Sequence, residues 1–346
     1  MKVTVLMSVY NGELYVKDAI ESILTQTYRD FEFLIIDDGS TDATATIIQS
    51  YDDQRVRFIK HQQNHGLSSS LKEGVEEASG EYIARIDADD IALPDRIAEQ
   101  VEAFEHDKKL GLLGAWYDLN DSRKRSLIEY HRDNDPIMLR WALLFGNVFG
   151  HSTIMMRKEA CLQAGNYDKS LDTAQDYDLW FRIARHWNIG LIPRVLVRAN
   201  LSKSSISVRK DRSQRDSVRM ISLRNMKECA SGHLDELECN AVLAYMTDGE
   251  LSSDIKEDRV IIQYIITLID IFVSRMNETI SRDKIKYDCI KRMLNSISPE
   301  AIIWRKIRTC LIAARLSMWG TVREITSKVN RRLGANESFT YIFSKS

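Results

Sequence analysis

The stretch Gly80-Glu-Tyr-Ile-Ala-Arg-Ile-Asp87-Ala-Asp89-Asp90 decides how this chain is read. Tyr82 to Ile86 has the apolar and aromatic character of a short buried strand, opened by the turn pair Ser79-Gly80. Three carboxylates follow at once. Crowded at a strand end they repel one another and are costly to keep charged unless something positive sits among them. A divalent cation answers that need, because Mg²⁺ and Mn²⁺ prefer oxygen donors and share one or two carboxylates with substrate phosphates. The plainer alternative is an acidic turn that caps a helix starting near Pro94-Asp95.

Outward from this stretch the pattern repeats. Lys2 to Gly12 is an apolar run halted by Asn-Gly, a buried strand entering a loop. Leu14, Ala19, Ile20, Ile23 and Leu24 then recur at helical spacing. Phe31 to Asp42 reads as a second buried strand ending in Asp37-Asp38, after which Gly39, Ser40 and Thr41 lead into another helix. Val56 to Lys60 is a third strand and Gly66 to Ala78 a further helix. Strands alternating with helices predict βαβ units and a largely parallel sheet. Ligands of such sheets bind beyond the carboxyl ends of the strands, where Ser8-Tyr10, Asp37-Asp38 and Asp87-Asp89 all fall. The acidic clusters are therefore expected to converge on one crevice.

Ser-Val-Tyr-Asn-Gly12, Ile-Ile-Asp-Asp-Gly-Ser-Thr-Asp42 and the Asp-Ala-Asp-Asp stretch resemble the inverting glycosyltransferases of family 2. Gln175-Asp-Tyr-Asp-Leu-Trp-Phe-Arg182 resembles that family's catalytic-base segment. The likeness covers roughly residues 1–210, with its motifs in the expected order. It implies a GT-A fold, Rossmann-like with a mostly parallel sheet flanked by helices, and a nucleotide-sugar donor, most simply a UDP-hexose. Asp38 matches the carboxylate that meets the uracil ring. Ser8 and Tyr10 match residues of the nucleoside pocket, with Tyr10 placed to stack on the base. Asp87 matches the acid near the ribose, Asp89 the ligand of Mn²⁺ or Mg²⁺, and Asp176 the general base.

The chemistry asks for these residue types in its own right. Displacing a nucleoside diphosphate builds negative charge on the leaving oxygen, which a metal offsets without proton transfer. An acceptor hydroxyl attacking from the opposite face needs one carboxylate to take its proton. A double displacement would need a nucleophile on the other face, and the motifs offer none.

Each of these residues has a plainer reading. Asp176 could be a first-turn acid favoured by the helix dipole, with Leu179 and Trp180 as core. His151, in Phe149-Gly-His-Ser-Thr, lies at a position near the acceptor side in the family and could equally be a hydrogen-bonding structural residue. The chain also departs from its relatives. Gln175 stands where many have Glu, and Ala199-Asn-Leu-Ser202 stands where many have Tyr-Arg-x-His. Leu71-Lys72 differs from the usual Arg-Asn or Leu-Asn, and Lys72 stays unassigned. Lys203, Arg209 and Lys210 could serve the diphosphate or belong to a solvated loop.

With 346 residues, 44% hydrophobic and 28% charged, the chain can bury one sizeable core and a smaller second unit. The expected division is 1–224 as the catalytic domain and 225–346 as a helical extension. Five scattered cysteines (Cys161, Cys229, Cys239, Cys289, Cys310) without a CxxC pair fit a reducing compartment. Met1-Lys2 leads straight into the first strand with no signal sequence, so a cytoplasmic enzyme is expected. The apolar run Val260–Val273 is too short to span a bilayer.

Ala301 to Arg332 holds eight Lys/Arg and one Glu, a net of +7 in a chain whose total is −2. Such a segment could lie on an anionic membrane surface or pack with its basic face in water. Nucleic-acid binding is not expected, because no recognisable module accompanies this cluster. Two other functions compete with sugar transfer to a saccharide or lipid-linked acceptor. A nucleotidyltransferase would want a Gly-rich phosphate loop with Lys or Arg near the N-terminus, and Ser8-Val-Tyr-Asn-Gly-Glu13 is not one. An inactive binding protein would not need Asp38, Asp87, Asp89 and Asp176 together.

Overall fold

The computed structural model describes residues 1–121, 126–201, 211–247, 255–276 and 282–295. Lys203, Arg209, Lys210, Cys310 and the basic stretch 301–332 lie outside the described residues. By its contacts the chain divides into two compact units, Met1–Ile221 and Ser222–Ser346.

The first unit is built on one nine-stranded sheet. Its strands are β1 (Val3–Val9), β2 (Phe31–Asp37), β3 (Val56–Lys60), β4 (Tyr82–Arg85), β5 (Ile91–Ala92), β6 (Leu110–Asp121), β7 (Ser126–Tyr130), β8 (Met155–Arg157) and β9 (Asn188–Leu201). The order is β3-β2-β1-β4-β8-β6-β9-β5, with β7 paired to β6. The β3-β2-β1-β4 half is parallel, as is β6 with β9, and β8 runs antiparallel between the two halves. The chain winds from β1 to β2 and β3 on one side, then returns to β4 on the other. That reversal opens a crevice at the carboxyl ends of β1 and β4, where ligands of such sheets bind.

Helices cover both faces. They are α1 (Val16–Leu24), α2 (Thr44–Gln49), α3 (Leu67–Glu77), α4 (Arg96–His106), α5 (Pro136–Ala142), α6 (Lys158–Gln163) and α7 (Gln175–Ala184). Strand residues alternate between faces, and the two cores follow that period. Val3, Val5, Met7 and Val9 pack with Ile20 and Ile23 of α1 and Ile97 and Phe104 of α4. Leu6, Leu34 and Ile36 face the other way, into a cluster with Leu71 of α3, Leu139 of α5 and Trp180 of α7. Leu179 and Trp180 are fully buried, so they belong to the core. Buried on both faces, the central strands can be apolar almost throughout, which is why they read as continuous runs.

The remaining helices are α8 (Asp211–Ala230), α9 (Glu236–Thr247), α10 (Ile255–Arg275) and α11 (Arg282–Asn295). Within the second unit, α9, α10 and α11 pack on one another around Val242, Leu243, Ile265, Leu268, Ile269 and Ile285. The Val260–Val273 run lies in α10, and no described helix is long and apolar enough to cross a membrane. Cys161, Cys229, Cys239 and Cys289 are buried free thiols.

Candidate active site

The loops after β1 and β2 are stitched to each other. Asn11 donates its backbone N–H to Ser40 Oγ (2.8 Å), and its side-chain oxygen accepts from Thr41 N (2.9 Å). Gly12 N donates to Thr44 Oγ1, and Ala43 N to Glu13 Oε2. The Tyr-Asn-Gly-Glu and Gly-Ser-Thr-Asp motifs thus form one rigid rim. Ser8 is buried at the end of β1, while Tyr10 beside it is 50% exposed, so its ring is accessible for stacking. Gly39 has φ +78°, and a Cβ there would lie 2.5 Å from the Gln63 carbonyl carbon, so only glycine lets this turn approach the 63–66 loop.

Asp38 is buried and nearly saturated. Its Oδ1 accepts from His61 Nδ1 (2.8 Å) and His65 N (2.9 Å), and its Oδ2 from Gly66 N (2.9 Å). Burial pushes the carboxyl up, but His61 and the two amides hold it below the usual carboxylate range. The second nitrogen of His61 meets Glu73 (3.0 Å). Burial works against protonation of His61, yet Asp38 and Glu73 hold its pKa above the ordinary value. Asp38 therefore shapes the 61–66 loop as much as it can meet a ligand.

Asp38, His61 and His65 bring donor atoms within 4.8 Å of one another, the spacing of a metal site. The geometry argues against an ion there. Both His61 nitrogens are already engaged, and the His61 and His65 rings stack at 4.8 Å and 27°. Near-parallel rings cannot aim their in-plane lone pairs at one point.

The turn after β4 differs. Asp87 is held on both oxygens, Oδ1 by the Arg85 guanidinium and Oδ2 by Ser152 Oγ (2.8 Å). Arg85 is fully buried and also meets the Ile86 carbonyl. Burial would raise Asp87, yet Arg85 and Ser152 hold it below the ordinary range. Behind them Arg96, also fully buried, donates to the Arg85 carbonyl (2.6 Å) and the Ile154 carbonyl (3.1 Å). Asp89 is pushed up to about 6 by burial and by Asp87. Asp90 is raised well above the usual value by burial, then by Asp87 and Asp89. Asn200, at the end of β9, fixes this turn by donating its N–H to Asp90 Oδ1 (2.8 Å) and its amide to the Asp89 carbonyl (2.5 Å). The result is a cluster of oxygen donors with more negative charge than Arg85 offsets. With Asp87 committed to Arg85 and Ser152, Asp89 is the carboxylate best able to take a hard divalent cation.

On the other side of the crevice, α7 begins after Ala174, which sits in the left-handed region at φ +58°. Asp176, in its first turn, accepts from Tyr177 N (2.8 Å) and Asn147 Nδ2 (2.7 Å). Burial is the largest influence on it and raises it to about 6, with a smaller upward push from Asp87. Its neighbour Asp178 instead pairs with Arg182 (2.6 Å). His151 opens a short 3₁₀ turn; Nε2 lies 3.0 Å from Tyr167 Oη, and its ring meets Trp180 edge-on. Burial and the Arg85 charge lower His151 to about 3, so the ring is neutral. The structure thus gathers Asp87, Asp89, Ser152, His151 and Asp176 around one crevice, with Ser8, Tyr10 and Asp38 along its β1–β2 rim.

The model of glycosyl transferase family 2 matches residues 4–163. An uncharacterized glycosyltransferase of Methanocaldococcus jannaschii is 36% identical over 201 residues, which cover 57% of this chain and 69% of that protein. The chain belongs to glycosyl transferase family 2. Its fold is GT-A, as the solved structures it is similar to indicate. The Staphylococcus aureus TarS fragment 1–349 in complex with UDP-GlcNAc matches with a TM-score of 0.55 and 16% identity, over 96% of this chain and 92% of that one. A mannosyltransferase of Pyrobaculum calidifontis, in complex with GDP-Man and Mn²⁺, matches with a TM-score of 0.52 and 14% identity, over 92% and 87%.

Arg85, Ser152, Asn147, His61 and Asn200 are not evident from the motifs. Only Arg85 leaves a sequence signal, a charged residue inside an otherwise apolar strand, where burial demands a partner. The others act across loops whose approach no local spacing encodes.

Proposed function

We propose that this family 2 glycosyltransferase is inverting and metal-dependent. It would move a hexose from a nucleoside-diphosphate donor, most simply UDP-linked, to a saccharide or lipid-linked saccharide acceptor in cell-envelope polysaccharide synthesis. The observation that carries the reading is the pairing of two carboxylate environments across one crevice. Asp89 lies in an acid cluster whose one ion-paired cation, Arg85, is committed to Asp87, and Asp176 is an oriented carboxylate raised to about 6. Tyr10 and Ser8 would receive the nucleoside, with Asp38 holding the loop that borders it. Asp89 would hold Mn²⁺ or Mg²⁺ against the diphosphate, and Asp87 would face the ribose. A bound divalent ion there supplies charge to offset that of the leaving diphosphate. Asp176 takes the proton of the acceptor hydroxyl, and neutral His151 borders the acceptor side. One displacement inverts the anomeric carbon.

The test joins a screen with a variant. Thermal shift with UDP-glucose, UDP-galactose, UDP-GlcNAc and GDP-mannose, with and without Mn²⁺, identifies the donor. Asp176→Asn should then lower kcat by about 10²–10⁴-fold, the usual worth of general-base help, with the UDP Kd unchanged. An α-linked donor should give a β-linked product by NMR. An α product, or near-normal turnover of Asp176→Asn, overturns the mechanism.

A further inference from the structure

Asn147 lies 29 residues before Asp176 and on a different element, yet its Nδ2 is 2.7 Å from Asp176 Oδ2. The amide cannot turn over freely, because its oxygen accepts from Phe149 N (3.1 Å), which leaves the NH₂ side toward the carboxylate. The loop bearing it is tied to α7 at two further points. Tyr177 Oη donates to the Leu143 carbonyl (2.7 Å), and Arg140 of α5 donates to the Ala184 and Trp187 carbonyls, at Trp187 over 2.7 Å. Asp135 caps α5 from its other end by accepting from Ile137 N and Met138 N. The loop and the start of α7 are therefore one body, and the amide meets the carboxylate in a fixed direction.

We propose that Asn147 is the positioning residue of the base, holding the Asp176 carboxylate ionised and aimed into the crevice. The inference rests on the assignment of Asp176 as the base. The Asp176 carboxylate accepts on one oxygen from its own helix and on the other from Asn147, so the amide sets which lone pairs remain for an incoming hydroxyl. An N–H donated to a carboxylate favours the charged form. Among the described residues, the titratable groups that face Asp176 from neighbouring elements are Asp87 after β4, Tyr117 on β6 and Tyr167 after α6; on its own helix, Asp178 is paired with Arg182. None of them offers a positive charge in place of the amide.

The test reads the carboxylate directly. Protein carrying aspartate labelled with ¹³C at Cγ is titrated by NMR, with the Asp176 signal assigned by its loss in Asp176→Asn. The wild-type midpoint should fall near pH 6. Asn147→Leu removes the donor at similar volume and should raise the midpoint by about one to two pH units, the worth of a hydrogen bond to a charged group. Asn147→Ser keeps a shorter donor and should fall between, so the series survives if the leucine variant does not fold. The acid limb of the kcat–pH profile should move with the midpoint, whereas a merely structural loss would lower kcat equally at every pH. An unmoved midpoint and limb, with Asp176→Asn inactive, overturns the role of Asn147 and leaves the base assignment standing. Turnover retained in Asp176→Asn overturns both.

Discussion

Arg85→Met is the perturbation that tests the charge balance of the acid turn. Methionine fills a similar volume in β4, so packing changes little, while the guanidinium facing Asp87 Oδ1 and the Ile86 carbonyl disappears. Removing one partner of a buried ion pair costs about 3–5 kcal/mol, because the other charge is left uncompensated. The Asp87 side chain is 34% exposed, so water can reach part of it, and the cost belongs at about 3 kcal/mol. For a folding unit of this size that is a fall in Tm of roughly 6–12 °C. Differential scanning calorimetry in EDTA measures it. A second signature comes from the ion: the variant turn is more negative, so Mn²⁺ should raise Tm more in Arg85→Met than in wild type, by linkage. A Tm in EDTA within about 2 °C of wild type, well below that expectation, would refute the account of Arg85 as the buried counter-charge. A large loss with an unchanged Mn²⁺ response would attribute it to packing.

Gly39→Ala forces a side chain onto a backbone at φ +78°, with the Gln63 carbonyl carbon 2.5 Å away; a loss of about 1–3 kcal/mol in chemical denaturation is expected, together with weaker UDP binding. Asp89→Asn should remove the Mn²⁺ dependence of UDP binding by calorimetry while leaving Tm in EDTA equal to or above wild type, since a carboxylate raised to about 6 is strained when ionised. Asp176→Asn should likewise stabilise the protein above pH 6. The folded pKa of Asp176 lies above its unfolded value of 3.8, so its contribution is present below pH 4 and is lost as pH rises through 6. The gain at pH 8 is at most about 3 kcal/mol, and a variant less stable than wild type at pH 8 but not at pH 4 contradicts the sign.

The half of the fold that bears the site was legible because three of its four strands are buried on both faces. Val3–Val9, Phe31–Asp37 and Tyr82–Arg85 are buried runs in which apolar residues fill both faces or nearly so, and the half-buried edge strand Val56–Lys60 keeps an apolar Val-x-Phe-Ile pattern. The other half was not. β8 is three residues long and β5 two, below the length at which any periodicity declares itself, and their places come from pairing with β4, β6 and β9. The acids were visible as clusters, but their environments were not. Nothing local indicates that Ser152, 65 residues on, takes one oxygen of Asp87, or that Asn200 grips the turn at Asp89 and Asp90. Asn200, in the stretch that stands where many relatives have Tyr-Arg-x-His, supplies this clamp.

Those unread contacts are what separate carboxylates of identical chemistry. Asp87 and Asp176 face the same crevice, and each feels the other's charge. Arg85 and Ser152 hold Asp87 below the ordinary range, so at neutral pH it is a permanent anion with both oxygens engaged, unsuited to accept a proton. Asp176 is met by the uncharged N–H groups of Asn147 and Tyr177, which do not outweigh its burial, and this leaves it near 6. A general base works best when its pKa approaches the operating pH, so that the ionised form dominates yet still binds a proton well. Environments that push paired acids apart in this way are how one site divides its roles. Exchanging the surroundings would exchange the chemistry: a cation beside Asp176 would keep it charged but make it a poor proton acceptor. Arg85 at Asp87 and an uncharged amide at Asp176 are therefore two parts of the same division.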